Sequence, residues 1–396
     1  MPAIARTRKS PARRVAEKGG DLLSATAPRN TDQFVQSFAK GLSVIRTFGS
    51  ETRALTLSQV SAQTRPAADE TRPLPPTHPG FSPDPPLNAA LSIGALSAGQ
   101  GKLVYAGSFG MGIYRSEDRG DRWEPASAGL SDKFILCLTT AADGTVYAGT
   151  LRGGVFRSKD QGKSWQALNG GLPRMQVKAL MIVGHEVYAG TGGGVYRMIT
   201  GEDQWREVTK GLEEILVHTL AMGPDRTLFA GTSGKGVVRF NPKDPPGSGW
   251  SRMTEGLIDH EGLRENFIRV LALNKPDVLY AGTFDGGVFR SGDGGRTWRP
   301  ISRALPNDSI RGIIVNDKGL FVATGRGIFK SVNDGKQWTP INQGLSEPAI
   351  QVLAVSPDGA LYAGTSSGAF RSDDQGRQWV RISEGLEATE GFHLPF

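Results

Sequence analysis

One phrase returns seven times along this chain, and few folds can accommodate seven evenly spaced copies of one short apolar phrase. The copies are Val104-Tyr-Ala-Gly-Ser108, Val146-Tyr-Ala-Gly-Thr150, Val187-Tyr-Ala-Gly-Thr191, Leu228-Phe-Ala-Gly-Thr232, Leu279-Tyr-Ala-Gly-Thr283, Leu320-Phe-Val-Ala-Thr324 and Leu361-Tyr-Ala-Gly-Thr365. Their aromatic residues stand at 105, 147, 188, 229, 280, 321 and 362, at intervals of 42, 41, 41, 51, 41 and 41 residues. Glycine punctuates every unit, 53 of them in 396 residues, so the chain reads as short strands broken by turns and not as disorder.

A period near 41 residues fits a four-stranded propeller blade. In the fifth unit the alternation and breakers predict strands over 267–273, 278–283, 287–290 and 297–301, with no room for a helix. The Ala-Gly pair departs from strand propensity, which suits positions where blades crowd toward an axis. The expected fold is all-β: a seven-bladed β-propeller of four-stranded blades over residues 87–396, with a short α-helical N-terminal appendage. Ring closure removes long exposed sheet edges.

Between the third and fourth strands of each unit comes Ser-x-Asp-x-Gly-x-x-Trp. It is intact at Ser116/Asp118/Gly120/Trp123, Ser158/Asp160/Gly162/Trp165, Ser291/Asp293/Gly295/Trp298 and Ser372/Asp374/Gly376/Trp379. The sixth unit places Asn333 at the Asp position, the third shortens to Thr200–Trp205 and the fourth stretches to Asn241–Trp250. All seven tryptophans of the chain occupy this one repeat position. The spacing suits a hairpin turn in which a carboxylate accepts backbone N–H bonds, Gly takes positive φ and Trp wedges between blades. The motif resembles the Asp-box of the bacterial neuraminidase repeat. That superfamily includes sialidases, sortilin-type receptors, two-propeller xyloglucanases and the photosystem II assembly factor. The resemblance implies the propeller and a structural role for the boxes, and leaves chemistry open.

A sialidase-type mechanism needs an arginine cluster, a nucleophilic Tyr and an acid/base Asp. No Phe-Arg-Ile-Pro phrase is present, there are seven units where sialidases have six, and every tyrosine occupies a repeat position: 105, 147, 188, 280 and 362 in the second strand, 114 and 196 in the third. Xyloglucanases use a cleft between two such domains, and this chain has one. The five histidines show no metal-ligand spacing, a single cysteine excludes a thiolate zinc site, and Cys137 reads as a buried small hydrophobe. No catalytic residue, metal or cofactor is expected.

Function is therefore expected in the variable loops. The loops between second and third strands, and those between blades, share one end of the channel. They carry Phe109, Met111, Arg152, Lys235, Phe284, Asp285 and Arg326 in the first set and Asp132, Lys133, Arg174, Arg264 and Arg311 in the second. The longest blade crossing, 258–266, adds His260 and is the best single place for ligand contact. The expected function is a non-catalytic binding or scaffolding module for a protein or anionic ligand, with Arg152, Arg174, Lys235, His260, Arg264, Phe284, Asp285, Arg311 and Arg326 as candidate contacts. The alternatives are a glycoside hydrolase and a DNA-associated regulator fusion.

The net charge of +7 does not favour nucleic acid binding by the propeller, because residues 1–80 hold 12 Lys/Arg against 6 Asp/Glu and the remainder holds 34 against 33. Residues 1–33 read as a basic disordered tail. Residues 34–64 resemble the start of an IclR-type winged helix-turn-helix, with Phe34, Phe38, Leu42, Ile45 and Phe48 at helical spacing and Thr56-Leu-Ser-Gln59 as a capping box. Eight prolines between positions 66 and 86 then forbid a recognition helix, so 65–86 reads as a linker and 34–64 as a regulator fragment joined by fusion or frameshift, or as a two-helix appendage. Any nucleic acid contact is confined to residues 1–64. No run approaches the ~20 apolar residues of a membrane span. A monomeric cytoplasmic protein is the expectation.

Overall fold

The computed structural model describes residues 91–386 except 209, 259–261, 263, 264, 307 and 308. The expected tail, helical segment and linker lie outside the described residues. Within them stand 28 strands in seven four-stranded antiparallel sheets, each built from four consecutive strands. The first blade comprises β1 (Ile93–Ala98), β2 (Val104–Ser108), β3 (Ile113–Ser116) and β4 (Glu124–Pro125). Innermost strands of the later blades are β5 (Ile135–Thr140), β9 (Val177–Val183), β13 (Val217–Met222), β17 (Ile268–Lys275), β21 (Ile310–Asn316) and β25 (Ile350–Val355). Each packs beside the innermost strand of the next blade, and β25 returns to β1. The chain is a seven-bladed β-propeller.

The Ala-Gly pair is explained by what lies against it. A side-chain carbon at Gly107 would fall 2.5 Å from Cγ2 of Ile135, and one at Gly149 would fall 2.8 Å from Val177, in each case the first residue of the neighbouring blade's inner strand. Those opening residues, from Ile93 through Ile350, are between 0% and 2% exposed. A β-branched side chain of one blade thus fills the space left by glycine in the blade before it, which is how the core stays dry close to the axis.

Sequence expectation and structure differ at the fourth strand. Residues 297–301 were expected to pair, yet only Arg299–Pro300 do, and every fourth strand is two residues long and exposed. Outer edges kept this short offer little template for pairing with another chain.

The turns behave as expected from their spacing. Ser116 Oγ donates to Asp118 Oδ1 (2.7 Å) and accepts from Gly120 N (2.7 Å), while Asp118 accepts from Arg122 N (2.9 Å). The same set recurs around Asp160, Asp293, Asn333 and Asp374. Bonds from the hydroxyl and N–H of Ser164 and the hydroxyl of Ser158 hold Asp160 down at about 2. Each following Trp reaches into the preceding blade: Trp165 Nε1 donates to Ala126 O (2.7 Å), Trp205 to Leu168 O (2.7 Å), Trp298 to Met253 O (3.0 Å) and Trp379 to Ile341 O (2.8 Å). The ring closes by the same device, Trp123 Nε1 donating to Ile382 O at 2.6 Å across blades one and seven. Arg371 bonded to Asp121 (2.9 Å) and Arg119 bonded to Asp373 (2.6 Å) lie beside that joint.

Candidate functional site

The innermost strands carry a feature that no loop count reveals. Each has one residue more than its partner strand near its start. Ile93 faces Ser108 while Ala95 faces Gly107, leaving Gly94 extra, and the same shift leaves Leu136, Lys178, His218, Arg269, Arg311 and Gln351 extra in the other six blades. A bulged residue is released from the ladder and can be aimed away from it. Seven bulges at one level of seven channel-lining strands make a ring at the channel end that also carries the second-to-third-strand loops.

Four consecutive blades fill that ring with basic side chains. Burial pushes Lys178 down, with the Arg269 charge adding to it. Burial, then Lys178 and Arg269, push His218 down to about 4. Burial, then Arg311, push Arg269 down to about 10. These mutual fields, reaching across blade four from Lys178 to Arg269, link the four groups, and no carboxylate of the described residues contributes to the field on Lys178, His218 or Arg269.

Their hydrogen bonding is incomplete. His218 Nε2 lies 2.6 Å from Ser233 Oγ and Arg311 Nη1 donates to Gln351 Oε1 at 2.8 Å. His218 Nδ1, Arg269 Nη1 and Arg311 Nε are buried without a partner among the described residues. Buried polar groups of native proteins are paired as a rule, and three of the seven orphans among the described residues fall on these three adjoining side chains, which makes the arc the candidate site. Phe284 backs the arc: its ring stands 4.2 Å from the Arg269 guanidinium and edge-on to His218 at 5.2 Å.

The candidates read from the sequence fall in three groups. Arg311 and Phe284 belong to the arc, although Arg311 is a bulged residue of β21 and not part of a blade crossing. Arg152, Arg174, Lys235, Asp285 and Arg326 lie on loops around it. Arg152 covers the Phe134 ring at 5.2 Å, Arg174 pairs with Glu214 at 3.7 Å, and Lys235 Nζ donates to Gly211 O at 2.6 Å. Asp285 and Arg326 are exposed. His260 and Arg264 lie outside the described residues. Asp132 proves structural: bonds from the backbone of Phe134, Arg152 and Gly153 outweigh its burial and hold its carboxyl low. Cys137 is part-buried and packs against the apolar core of its neighbour blade, and burial pushes its thiol up to about 12. Lys178, His218 and Arg269 were missed. Their signal was the residue after the Ile or Val that opens each inner strand, which varies in an otherwise constant phrase.

No group of three or more His, Cys, Asp or Glu able to hold a metal occurs among the described residues. No helix among them is long and apolar enough to cross a membrane.

No protein-family model matches the chain, and no curated protein does. Solved structures match its fold. A GH74 enzyme of Niastella koreensis superposes with TM-score 0.60 at 16% identity over 76% of this chain and 55% of that one. The extracellular domain of a hybrid two-component system of B. thetaiotaomicron gives 0.60 at 17%, over 72% and 39%. YCF48 of Cyanidioschyzon merolae gives 0.54 at 14%, over 72% and 95%. The chain spans about half the length of the GH74 enzyme and less of the two-component domain. Identities this low establish a shared propeller fold.

Proposed function

We propose that this propeller is a non-catalytic binding module that captures an anionic group of a partner at the arc of Lys178, His218, Arg269 and Arg311. The observation that carries the reading is the set of buried nitrogens on His218, Arg269 and Arg311 that have no partner among the described residues, in a field to which none of the described carboxylates contributes. Concentrating like charges costs free energy in the unliganded protein, and an arriving carboxylate or phosphate relieves it. The irregular loops around the arc, with Phe109 59% exposed beside Phe134, supply surface to the rest of the partner.

Catalysis has little support from the carboxyls. Asp118, Asp132, Asp160, Asp225, Asp293, Asp358 and Asp374 are all shifted down, the reverse of what a general acid at neutral pH requires. Glycoside hydrolysis remains the second reading because of the GH74 likeness in fold, and turnover of any member of an aryl-glycoside panel would favour it.

The direct test is binding of a fluorescent oligo-glutamate peptide to the full chain. Affinity should fall as ionic strength rises. Replacing Arg269 and Arg311 by Gln should weaken binding by at least about tenfold, the scale of one to two charge-assisted hydrogen bonds. Equal affinity in the double variant would sink the proposal.

A further inference from the structure

The opposite end of the propeller has a gap where the repeat is broken. At regular junctions the Ser-x-Asp turn of one blade covers the second-strand aromatic of the blade before it. A side-chain carbon at Gly162 would lie 2.9 Å from the Tyr105 ring and one at Gly295 would lie 3.3 Å from the Phe229 ring, while Tyr280 OH bonds Asp334 at 2.9 Å. Blade four has no such turn. Its hairpin is stretched over Asn241–Trp250 and held to its own blade, with Asn241 Nδ2 donating to Thr227 Oγ1 (2.9 Å) and Arg239 bonded to Asp244 (3.0 Å).

A cavity of about 450 Å³ opens between blades three and four in consequence, within the roughly 300–1,000 Å³ of small-molecule sites. Tyr188, Val208, Met222, Leu228, Phe240 and Pro242 form its apolar lining. Four cations line it, Arg197, Arg206, Arg226 and Lys243, with two carboxylates, Glu207 and Asp225. Arg206 pairs with Glu202 (3.2 Å), and Lys243 acts on Asp225. At the inner end two guanidiniums, Arg197 (2.8 Å) and Arg226, share the single carboxylate of Glu186, and Arg226 also donates to Tyr188 OH at 3.2 Å. That end therefore sets two guanidiniums against one shared carboxylate beside an aromatic surface.

We propose that this cleft is a second binding site, for a small aromatic monoanion whose ring lies on Met222 and Phe240 and whose charged group meets Arg226. The site is separate from the basic arc, on other residues and at the other end of the channel, so it stands whether or not the arc binds its ligand. Arg226 also takes φ +69 in the blade's first turn, a left-handed conformation that L-residues other than Asn and Asp seldom adopt. Such local strain is often kept where a side chain must be aimed.

The probe is 8-anilinonaphthalene-1-sulfonate added to the full chain. One saturable site is expected, lost in Met222→Trp, which fills the cleft, and at least tenfold weaker in Arg226→Gln. Binding should be unchanged in the Arg269→Gln, Arg311→Gln double variant. In methyl NMR spectra of the unsubstituted chain, the Met222 and Val208 resonances should move on titration and that of Ile135 should not. Undiminished binding in both cleft variants, or a titration that leaves the Met222 methyl unmoved, overturns the proposal, and the NMR arm decides the matter should Met222→Trp fail to fold.

Discussion

A histidine between Lys178 and Arg269 is held neutral at a cost that pH can expose. His218 has its folded pKa depressed to about 4, against about 6.5 unfolded, so the unfolded chain binds more protons between those values. Its contribution to stability is then fully present above pH 6.5 and is lost as pH falls toward 4. Comparing urea unfolding at pH 7 and pH 4.5, the unsubstituted protein should lose about 1–3 kcal/mol more than His218→Gln, which cannot take up the proton. An equal loss would show that the ring is solvated and the arc open. An anion in the arc reverses the field at Nδ1, so ligand should narrow the difference.

At the scale of one element, the joint between blades depends on a glycine as well as on the tryptophan. Gly129, Gly171, Gly256, Gly344 and Gly385 follow the fourth strands, and a side-chain carbon at Gly344 would fall 2.1 Å from Trp379 O at φ +88. Gly144 has a similar φ, +84, but nothing within 4 Å. Gly144→Ala should cost about 1 kcal/mol from backbone strain alone. Gly344→Ala should cost about 3 kcal/mol or more, because the carbonyl that must move belongs to the residue locking two blades together. Thermal midpoints of the two variants separate strain from collision, and equal midpoints would mean that the joint gives way at no cost. The Trp half of this joint was legible in the sequence, since tryptophan was confined to one position. The Gly half was visible as a recurring Gly-Leu but lacked a meaning until the neighbouring blade was in place. The basic arc was hidden for a related reason. A strand of alternating residues shows which face each side chain takes, and a bulge shifts that alternation by one without leaving a mark in the residue types. Reading by loops reached Arg311 and Phe284 and passed over Lys178, His218 and Arg269.

For the molecule as a whole, the number of blades and their strand order follow from the repeat, and Ala-Gly crowding at the axis was anticipated from propensity. Closure was not. Each sheet is made of four consecutive strands, so no strand is shared between the first and last blades, and they are joined by side-chain packing and by hydrogen bonds outside the ladders. The closing amide of Trp123 bonds Glu384 O at 2.9 Å, as Trp165 N bonds Ala128 O at 2.9 Å within the ring. Hydrogen exchange should therefore protect the Trp123 amide to within about tenfold of Trp165, both opening near the global limit. Exchange at Trp123 faster by orders of magnitude would identify blades one and seven as a seam.

The bulges carry one further consequence. Because each extra residue stands outside the ladder, its identity can change without moving a strand or reopening the core, and the seven equivalent positions here already hold Gly, Leu, Lys, His, Arg, Arg and Gln. The chemistry of the channel mouth is thus written in an alphabet independent of the one that writes the fold. Drift or design can re-letter it one blade at a time, from basic to acidic or neutral, on an unaltered wheel.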